Sequence, residues 1–437
     1  MMDADIKIKL NPPQVTEPLD LGYDDQVLNL MSKHFYQLGD IYRVYSPSRR
    51  RYTYVLSHPD YVKHVLQTNN KNYIKGEGID RVKILLGNGI MVSEGDFWRQ
   101  QRRMIQPAFH RQVIAGLKDL IVESNLQMIE EWREKTSSGH PLNINNEMSK
   151  VTLHIVLNAI FSEDLLTLTS LKGNNPFDLL TKEPERNLQF AMKFRSLAQV
   201  IQQIMYQRRA QGRVCHDFLS MLMESRDKET GQPMPDKQLL DEVMTLVIAG
   251  HETTASALVW AWYLLTQYPG VEQRLHREVK QVVGNNLPSF EHLERLTYTK
   301  QVIQEALRLY PPGWLLTRIN KEDDQIGPFF IPKGSDIYIS PYLVHRNAKF
   351  WSHPDQFVPD RFDPEITEVR PRFAYFPFGA GPRQCIGDHF AMVEMQFHIS
   401  MVMAQVKFSL VKGDPVEIEP QINLRSRYPI FLKAHWR

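Results

Sequence analysis

One stretch constrains the chain more than any other: Phe378-Gly379-Ala380-Gly381-Pro382-Arg383-Gln384-Cys385-Ile386-Gly387. Cys385 is one of two cysteines in 437 residues. It stands between a Gly/Pro-rich loop and an apolar run with Ile386, Phe390, Val393 and Phe397 at helical spacing. A thiol at a helix N-terminus meets the positive end of the macrodipole and unpaired N–H groups, which favour thiolate. Gly379, Gly381 and Gly387 allow close approach of a large flat object and conformations that other residues resist. Arg383 offers a fixed positive charge to a carboxylate, and Phe378 an apolar ring for the sulfur side. The bland alternative is a Gly-rich loop with a buried, inert cysteine. A lone thiolate, a nearby arginine and a dry loop suit a haem iron with one Cys axial ligand.

The five positions Phe378, Gly381, Arg383, Cys385 and Gly387 agree at once with the pattern F-x-x-G-x-R-x-C-x-G. That pattern resembles the haem-binding loop of the cytochrome P-450 superfamily.

The rest of the chain is read against this loop. Hydrophobic residues make up 42% of the chain, enough for a sizeable core, and a net charge of +2 gives no reason to expect nucleic acid. Two cysteines, Cys215 and Cys385, rule out a disulfide framework and fit a reducing compartment. Cys215 lacks the paired Cys or His spacing of a zinc site and reads as an ordinary packed or partly exposed residue. The N-terminal run has no continuous apolar core, so neither a signal peptide nor a membrane anchor is expected, which points to a soluble, cytoplasmic protein of bacterial style.

Residues 1–25 read as a polar, Pro-containing lead-in, and 26–437 as one domain without repeats or linkers. Tyr42–Tyr45 and Tyr52–Leu56 predict a hairpin around Ser46-Pro47-Ser48. Residues 60–230 are mostly helical in pattern. A helix over Asp236–Tyr268, ended by Pro269-Gly270, would run roughly 50 Å. A further helix carries Val302–Tyr310, and Ile337–Ser340 reads as a strand. The fold class is mainly α with a small β region.

The long helix holds Ala249-Gly250-His251-Glu252-Thr253-Thr254 at its middle. Gly permits close approach of a ligand, and Thr bends a helix by bonding its own backbone. Val243–Leu265 is long enough for a membrane span, but His251 and Glu252 would then lie near the bilayer centre. The hexapeptide is similar to the superfamily's A-G-x-E-T-T oxygen-activation motif. The resemblance implies Thr253 and Glu252 as the proton-delivery pair, with Ala249 and Gly250 against the haem.

Three further constellations fall in family order. Glu305 and Arg308 with Arg361 resemble the E-x-x-R helix and P-x-R-F meander, implying a charge network behind the Cys loop. Trp98 and Arg102 resemble the W-x-x-x-R helix and imply contacts to a haem propionate, with Arg318 a third. His345-Arg346 matches a pair that reads as structural. The implied architecture places haem b between the long central helix and the Cys-loop helix.

The resemblance implies a haem-thiolate monooxygenase that hydroxylates or epoxidises a lipophilic organic substrate. By family position the pocket draws on 74–92, 165–205, Leu246, Ala249, Trp314–Thr317 and Leu424–Arg427. Electrons come from a separate ferredoxin or flavodoxin with its reductase, docking on the basic cluster Arg99, Arg102, Arg103 and Arg111, and the protein works as a monomer. Two alternatives stand beside this reading: a peroxide-driven or rearranging haem-thiolate enzyme, and a non-catalytic haem sensor. Glu252-Thr253 argues against both.

Overall fold

A computed structural model describes residues 10–22, 26–165, 177, 179–182, 188–365 and 370–437. Helices build most of it, with small sheets at the periphery. The expected hairpin forms: β1 (Ile41–Ser46) pairs antiparallel with β2 (Arg51–Leu56). Three more strands, β3 (Tyr73–Lys75), β4 (Leu316–Asn320) and β5 (Asp336–Ile339), complete a five-stranded sheet in the order β1-β2-β5-β4-β3. The register of β3 on β4 sets Lys75 opposite Arg318. Part of the N-terminal lead-in is docked on this sheet: Val15 N–H donates to Arg43 O at 3.0 Å, and Val15 and Leu21 are buried.

The long helix spans Asp236–Gln267 and is buried nearly all round from Thr254 to Leu265. Its end falls within one residue of the sequence expectation. Pro269 and Gly270, which stop it, also open the next helix, Pro269–Val282, with Pro at the first turn where its missing N–H costs nothing. Through the Gly250–Thr254 motif the long helix remains a continuous α-helix.

The long helix packs along the helix Ile144–Phe161. Gly250 makes this approach close: a Cβ there would lie 2.7 Å from Val156 Cγ2. The glycine therefore serves helix packing on that side, where the sequence suggested approach of a ligand. The Cys-loop helix runs Asp388–Gln405 and is apolar on nearly every side, as a helix in the middle of a core must be. The E-x-x-R helix, Thr297–Leu309, packs against both of these helices. Trp262, Asn125 and His398 tie the centre together. Trp262 Nε1–H donates to His398 Nε2 at 3.0 Å, and His398 Nδ1 lies 2.7 Å from Asn125 Oδ1.

No helix among the described residues is long and apolar enough to cross a membrane.

Candidate active site

The Cys loop is held by its own backbone. Cys385 N–H donates to Phe378 O at 2.9 Å, and Gln384 N–H to Gly381 O at 3.1 Å. Gly379 and Gly381 have φ of 70° and 69°, where a side chain is strained. At Gly381 a Cβ would also overlap the carbonyl oxygen of Leu66. Gly387 differs from the expectation. Its φ is −97°, and a Cβ would make an ordinary 3.6 Å contact with Phe109. What it supplies instead is a backbone N–H to the cysteine sulfur.

Cys385 is exposed at its side chain yet deep among protein atoms. Burial pushes its thiol up to about 11, outweighing the Gly387 N–H and the nearby Arg102 charge. The helix begins only at Asp388, whose carboxylate acts against the thiolate. The helix end alone therefore does not ionise this sulfur. A bound metal cation does, because a coordinating thiol is deprotonated outright.

Around the loop the structure gathers cations from four separate segments. Arg102 Nη1–H donates to Gln384 O at 2.9 Å. Arg383 stacks 4.0 Å over the Trp98 ring and donates to Ser93 O at 2.7 Å and Glu94 Oε2 at 2.5 Å. Arg318 and Lys75 come from the paired strands β4 and β3. Burial, then the charge of Arg383, pulls Arg318 down to about 10. Burial, then Arg318 and Arg383, pulls Lys75 down to about 7. One near carboxylate is Glu94, which also accepts from Lys75 N–H at 2.8 Å. Four cations, with the carboxylates of Glu94 and Asp388 near them, call for further negative charge. A cofactor presenting a metal to Cys385 and two carboxylates to this cluster fits the residues present.

Trp98, Arg102, Arg318, Phe378 and Arg383 thus meet at one place, as the sequence led one to expect. Lys75 and Glu94 belong there too. Strand pairing brings in Lys75, and Glu94 stands at the N-terminus of the Trp98 helix, where no motif marks it.

Across the long helix, Thr253 Oγ1–H donates to Ala249 O at 2.7 Å. The expected bend takes the form of this side-chain to backbone bond within an unbroken helix. Glu252 is adjacent in sequence and so points about 100° away around the helix axis. Its carboxylate accepts from Asn423 Nδ2–H at 3.2 Å and lines a cleft of about 790 Å³. Asn145, Ser149 and Arg425 share that cleft, and Ser149 Oγ lies 2.9 Å from His251 Nε2. Asn423, which no motif announces, is the neighbour that fixes the acid.

Behind the loop, the Glu305 network is complete and fully buried. Arg308 forks onto Glu305 at 2.7 and 2.8 Å, and Arg361 Nε–H donates to it at 3.2 Å. Arg308 also donates to the carbonyls of His345, Pro354 and Gln356. His345 Nε2 accepts from Phe376 N–H at 3.0 Å, which connects the network to the approach of the Cys loop. Burial and Arg308 hold His345 neutral, far below its ordinary value, as a structural role requires.

Several pocket assignments change. Trp314 is 1% exposed and donates to Gln421 O at 2.7 Å, so it belongs to the core and not to a pocket wall. Leu424 is buried, and its carbonyl accepts from Ser256 and Trp260. Arg425 pairs with Glu419 inside the hairpin Ile418–Ser426, and Arg427 with Glu417 just beyond its ends. Of 165–205, residues 166–176, 178 and 183–187 lie outside the described residues. The basic cluster is also partly committed: Arg99 pairs with Asp96, Arg103 with Asp227 and Glu229, and Arg102 faces the Cys loop. Cys215 is half-buried, with its backbone N–H on Ser220 Oγ, and no metal-binding cluster occurs among the described residues.

The model of the family described as Cytochrome P450 matches residues 11–433. Cyclooctatin synthase of Streptomyces melanosporofaciens is 36% identical over 392 residues, covering 86% of this chain and 84% of the relative. The cyclooctat-9-en-7-ol 5-monooxygenase of the same organism is 32% identical over 392 residues, with the same coverage. Pentalenene oxygenase of Streptomyces avermitilis is 29% identical over 389 residues, covering 85% of this chain and 83% of the relative.

Proposed function

The chain belongs to the cytochrome P450 family and is a monooxygenase of that family; from this premise we propose that it inserts one atom of dioxygen into a lipophilic substrate by hydroxylation or epoxidation. The observation that carries the reading is the exposed Cys385 sulfur beside a half-buried cation cluster with a deficit of carboxylates.

The cofactor is haem b. Cys385 would hold its iron, with Phe378, Gly379 and Gly387 around the sulfur. Trp98, Arg102, Arg318 and Arg383, joined by Lys75, hold its propionates. Ala249 would border it from the long helix, while Gly250 serves the close packing of that helix on Val156. When bound, the haem supplies the oxidation chemistry, and a Cys ligand favours O–O cleavage. The chain's own part is to bind, orient and exclude water.

Thr253 and Glu252 divide the proton work. The Thr253 hydroxyl, back-bonded to Ala249 O, holds a proton at Oγ1. The Glu252 carboxylate faces the cleft and takes up protons there, with Asn423 on its Oε2. The two point apart, so transfer between them runs through an ordered water, a reach that general acid catalysis tolerates.

The substrate is largely hydrocarbon. Two relatives carry alkene and alkenol stems in their names, pentalenene and cyclooctat-9-en-7-ol. Electrons come from a ferredoxin or flavodoxin with its reductase, and the protein acts as a cytoplasmic monomer, where its two unpaired cysteines stay reduced.

The deciding experiment compares turnover of a lipophilic alkene with a ferredoxin–reductase system against turnover with hydrogen peroxide alone. Oxygenated product that depends on the electron donor supports the proposal. Product formed with peroxide but not with the donor would replace it by the peroxide-driven reading, and no product under either condition by the sensor.

A further inference from the structure

A file of aromatic rings leaves the long helix on the side that carries Thr253. Trp260 follows Thr253 by nearly two turns, so it shares that face about 10 Å further along. It is 1% exposed, and its Nε1–H donates to Leu424 O at 3.0 Å. Its indole stacks on Tyr310, just past the end of the E-x-x-R helix, with ring centroids 4.0 Å apart and planes 6° from parallel. The Arg346 guanidinium lies 5.6 Å from the Tyr310 ring centre and 3.8 Å from that of Tyr342. Tyr36, on the helix Val27–Leu38, is near enough to Tyr342, Arg346 and Asp355 to interact with them electrostatically, and it is 67% exposed. Segments distant in sequence thus set oxidisable rings in order, from the buried long helix to the surface.

Packing alone does not account for this order. Aromatic pairs prefer offset or edge-on contact, with centroids roughly 4.5–7 Å apart. Trp260 and Tyr310 meet closer and almost face to face, where their π-systems overlap most. Tryptophan and tyrosine yield an electron readily, and phenylalanine does not. The group Trp132–Phe408–Trp262 has a phenylalanine at its middle and both indoles in the core. The file from Trp260 to Tyr36 contains no phenylalanine and ends at solvent.

We infer that Trp260, Tyr310, Tyr342 and Tyr36 carry oxidising equivalents from the haem site to the surface, where small water-soluble one-electron reductants such as thiols are oxidised at Tyr36. The inference rests on the haem-thiolate reading above and adds to it a second, peroxidase-type activity, used when no substrate fills the site. With hydrogen peroxide as the oxidant, one peroxide takes up two electrons and two protons and leaves as two waters. Each electron passes inward along the file from Tyr36, whose phenolic proton goes to solvent. Each Tyr36 radical then takes an electron and a proton from a thiol, and two thiyl radicals join as a disulfide.

The test uses the full haem-loaded chain without organic substrate. Ferrocyanide, too highly charged to enter a lipophilic site, reports oxidation at the surface through the absorbance of ferricyanide after hydrogen peroxide is added. Samples frozen rapidly without ferrocyanide are read for a tyrosyl radical by electron paramagnetic resonance. The wild type should oxidise ferrocyanide and show the radical. In Tyr36→Phe and in Tyr310→Phe, which keep the rings and the stack on Trp260, ferrocyanide oxidation should be largely lost, and the Tyr36 radical signal with it. Tyr206→Phe, at a tyrosine 75% exposed but outside the file, should match the wild type in both readouts. Rates and signals unchanged in Tyr36→Phe and Tyr310→Phe would overturn the file. So would a loss in Tyr36→Phe without one in Tyr310→Phe, because oxidation at Tyr36 would then not pass through the stack. The carbon monoxide band of the same preparations reads the haem site separately. Its absence overturns the thiolate reading and the file with it; where it is present, the two tyrosine variants decide the file alone.

Discussion

Thr253 holds its hydroxyl on Ala249 O, one turn back along the helix, so the residue that the motif marks for chemistry is also bonded to the backbone it sits on. Thr253→Ala should still fold and bind haem and substrate. It should release most of its reducing equivalents as hydrogen peroxide, because a general acid group typically contributes about 10²–10⁴-fold to its step. Product formed per electron pair consumed is the measurement, and unchanged coupling would remove Thr253 from the proton path. Gly250 offers a test of a different kind. Replacing Gly by Ala in a helix gains about 1 kcal/mol in propensity, while overpacking costs about 1–3 kcal/mol. With Val156 only 2.7 Å from the new methyl, the second effect should win. Gly250→Ala should lower the urea midpoint, and adding Val156→Ala should restore it. Cys385, Arg383, Glu305 and Arg308 were legible because each lies in a short contiguous pattern. Lys75, Glu94 and Asn423 were not, because distant segments carry them to the site and nothing local marks them.

Elements keep their partners through buried polar groups as much as through apolar faces. The Glu305–Arg308–Arg361 network joins the E-x-x-R helix to the segment before the Cys loop, with both Glu305 and Arg308 fully buried. Removing one member of such a network leaves an uncompensated ion and costs about 3–5 kcal/mol. Against a total stability of about 5–15 kcal/mol, Arg308→Ala should yield little haem-loaded protein, read as haem absorbance per mole of chain. His398 links the Cys-loop helix to the long helix and to the helix Lys118–Thr136. Burial pulls it down to about 3. Its folded value lies below its unfolded value of about 6.5, so the unfolded chain binds the extra proton. Its contribution is present above about pH 6.5 and is lost as pH falls toward 3, at about 1.4 kcal/mol per unit. The gap in Tm between wild type and His398→Gln should therefore narrow from pH 7 to pH 5. Periodicity and turn residues placed the hairpin, the long helix and its end before Pro269, but not the helix that follows at once. A Pro-Gly pair reads as a stop in sequence, but Pro serves equally well in the first turn of a following helix.

At the scale of the whole molecule, the residues gathered around Cys385 come from β3, β4, the Trp98 helix and the Cys loop, and folding alone brings them together. The mainly helical architecture was legible from composition and pattern. The distribution of surface charge was not, because ion pairs such as Arg103 with Asp227 depend on how separate elements meet. Electron transfer from an acidic partner should still slow with added salt, since the Debye length shrinks to about 8 Å at physiological ionic strength. With Arg102 and Arg103 engaged, Arg99 and Arg111 are the exposed arginines of that cluster. Reversing both to Glu should reduce the rate of partner-dependent reduction, and rates indifferent to salt and to this change would place docking elsewhere. The central claim is that Cys385 is the haem ligand. It is tested most directly by the absorbance of the reduced protein under carbon monoxide. The red-shifted Soret band of a thiolate complex is expected in the wild type and in Cys215→Ser, and its absence in Cys385→Ser. An unaltered band in Cys385→Ser would contradict it.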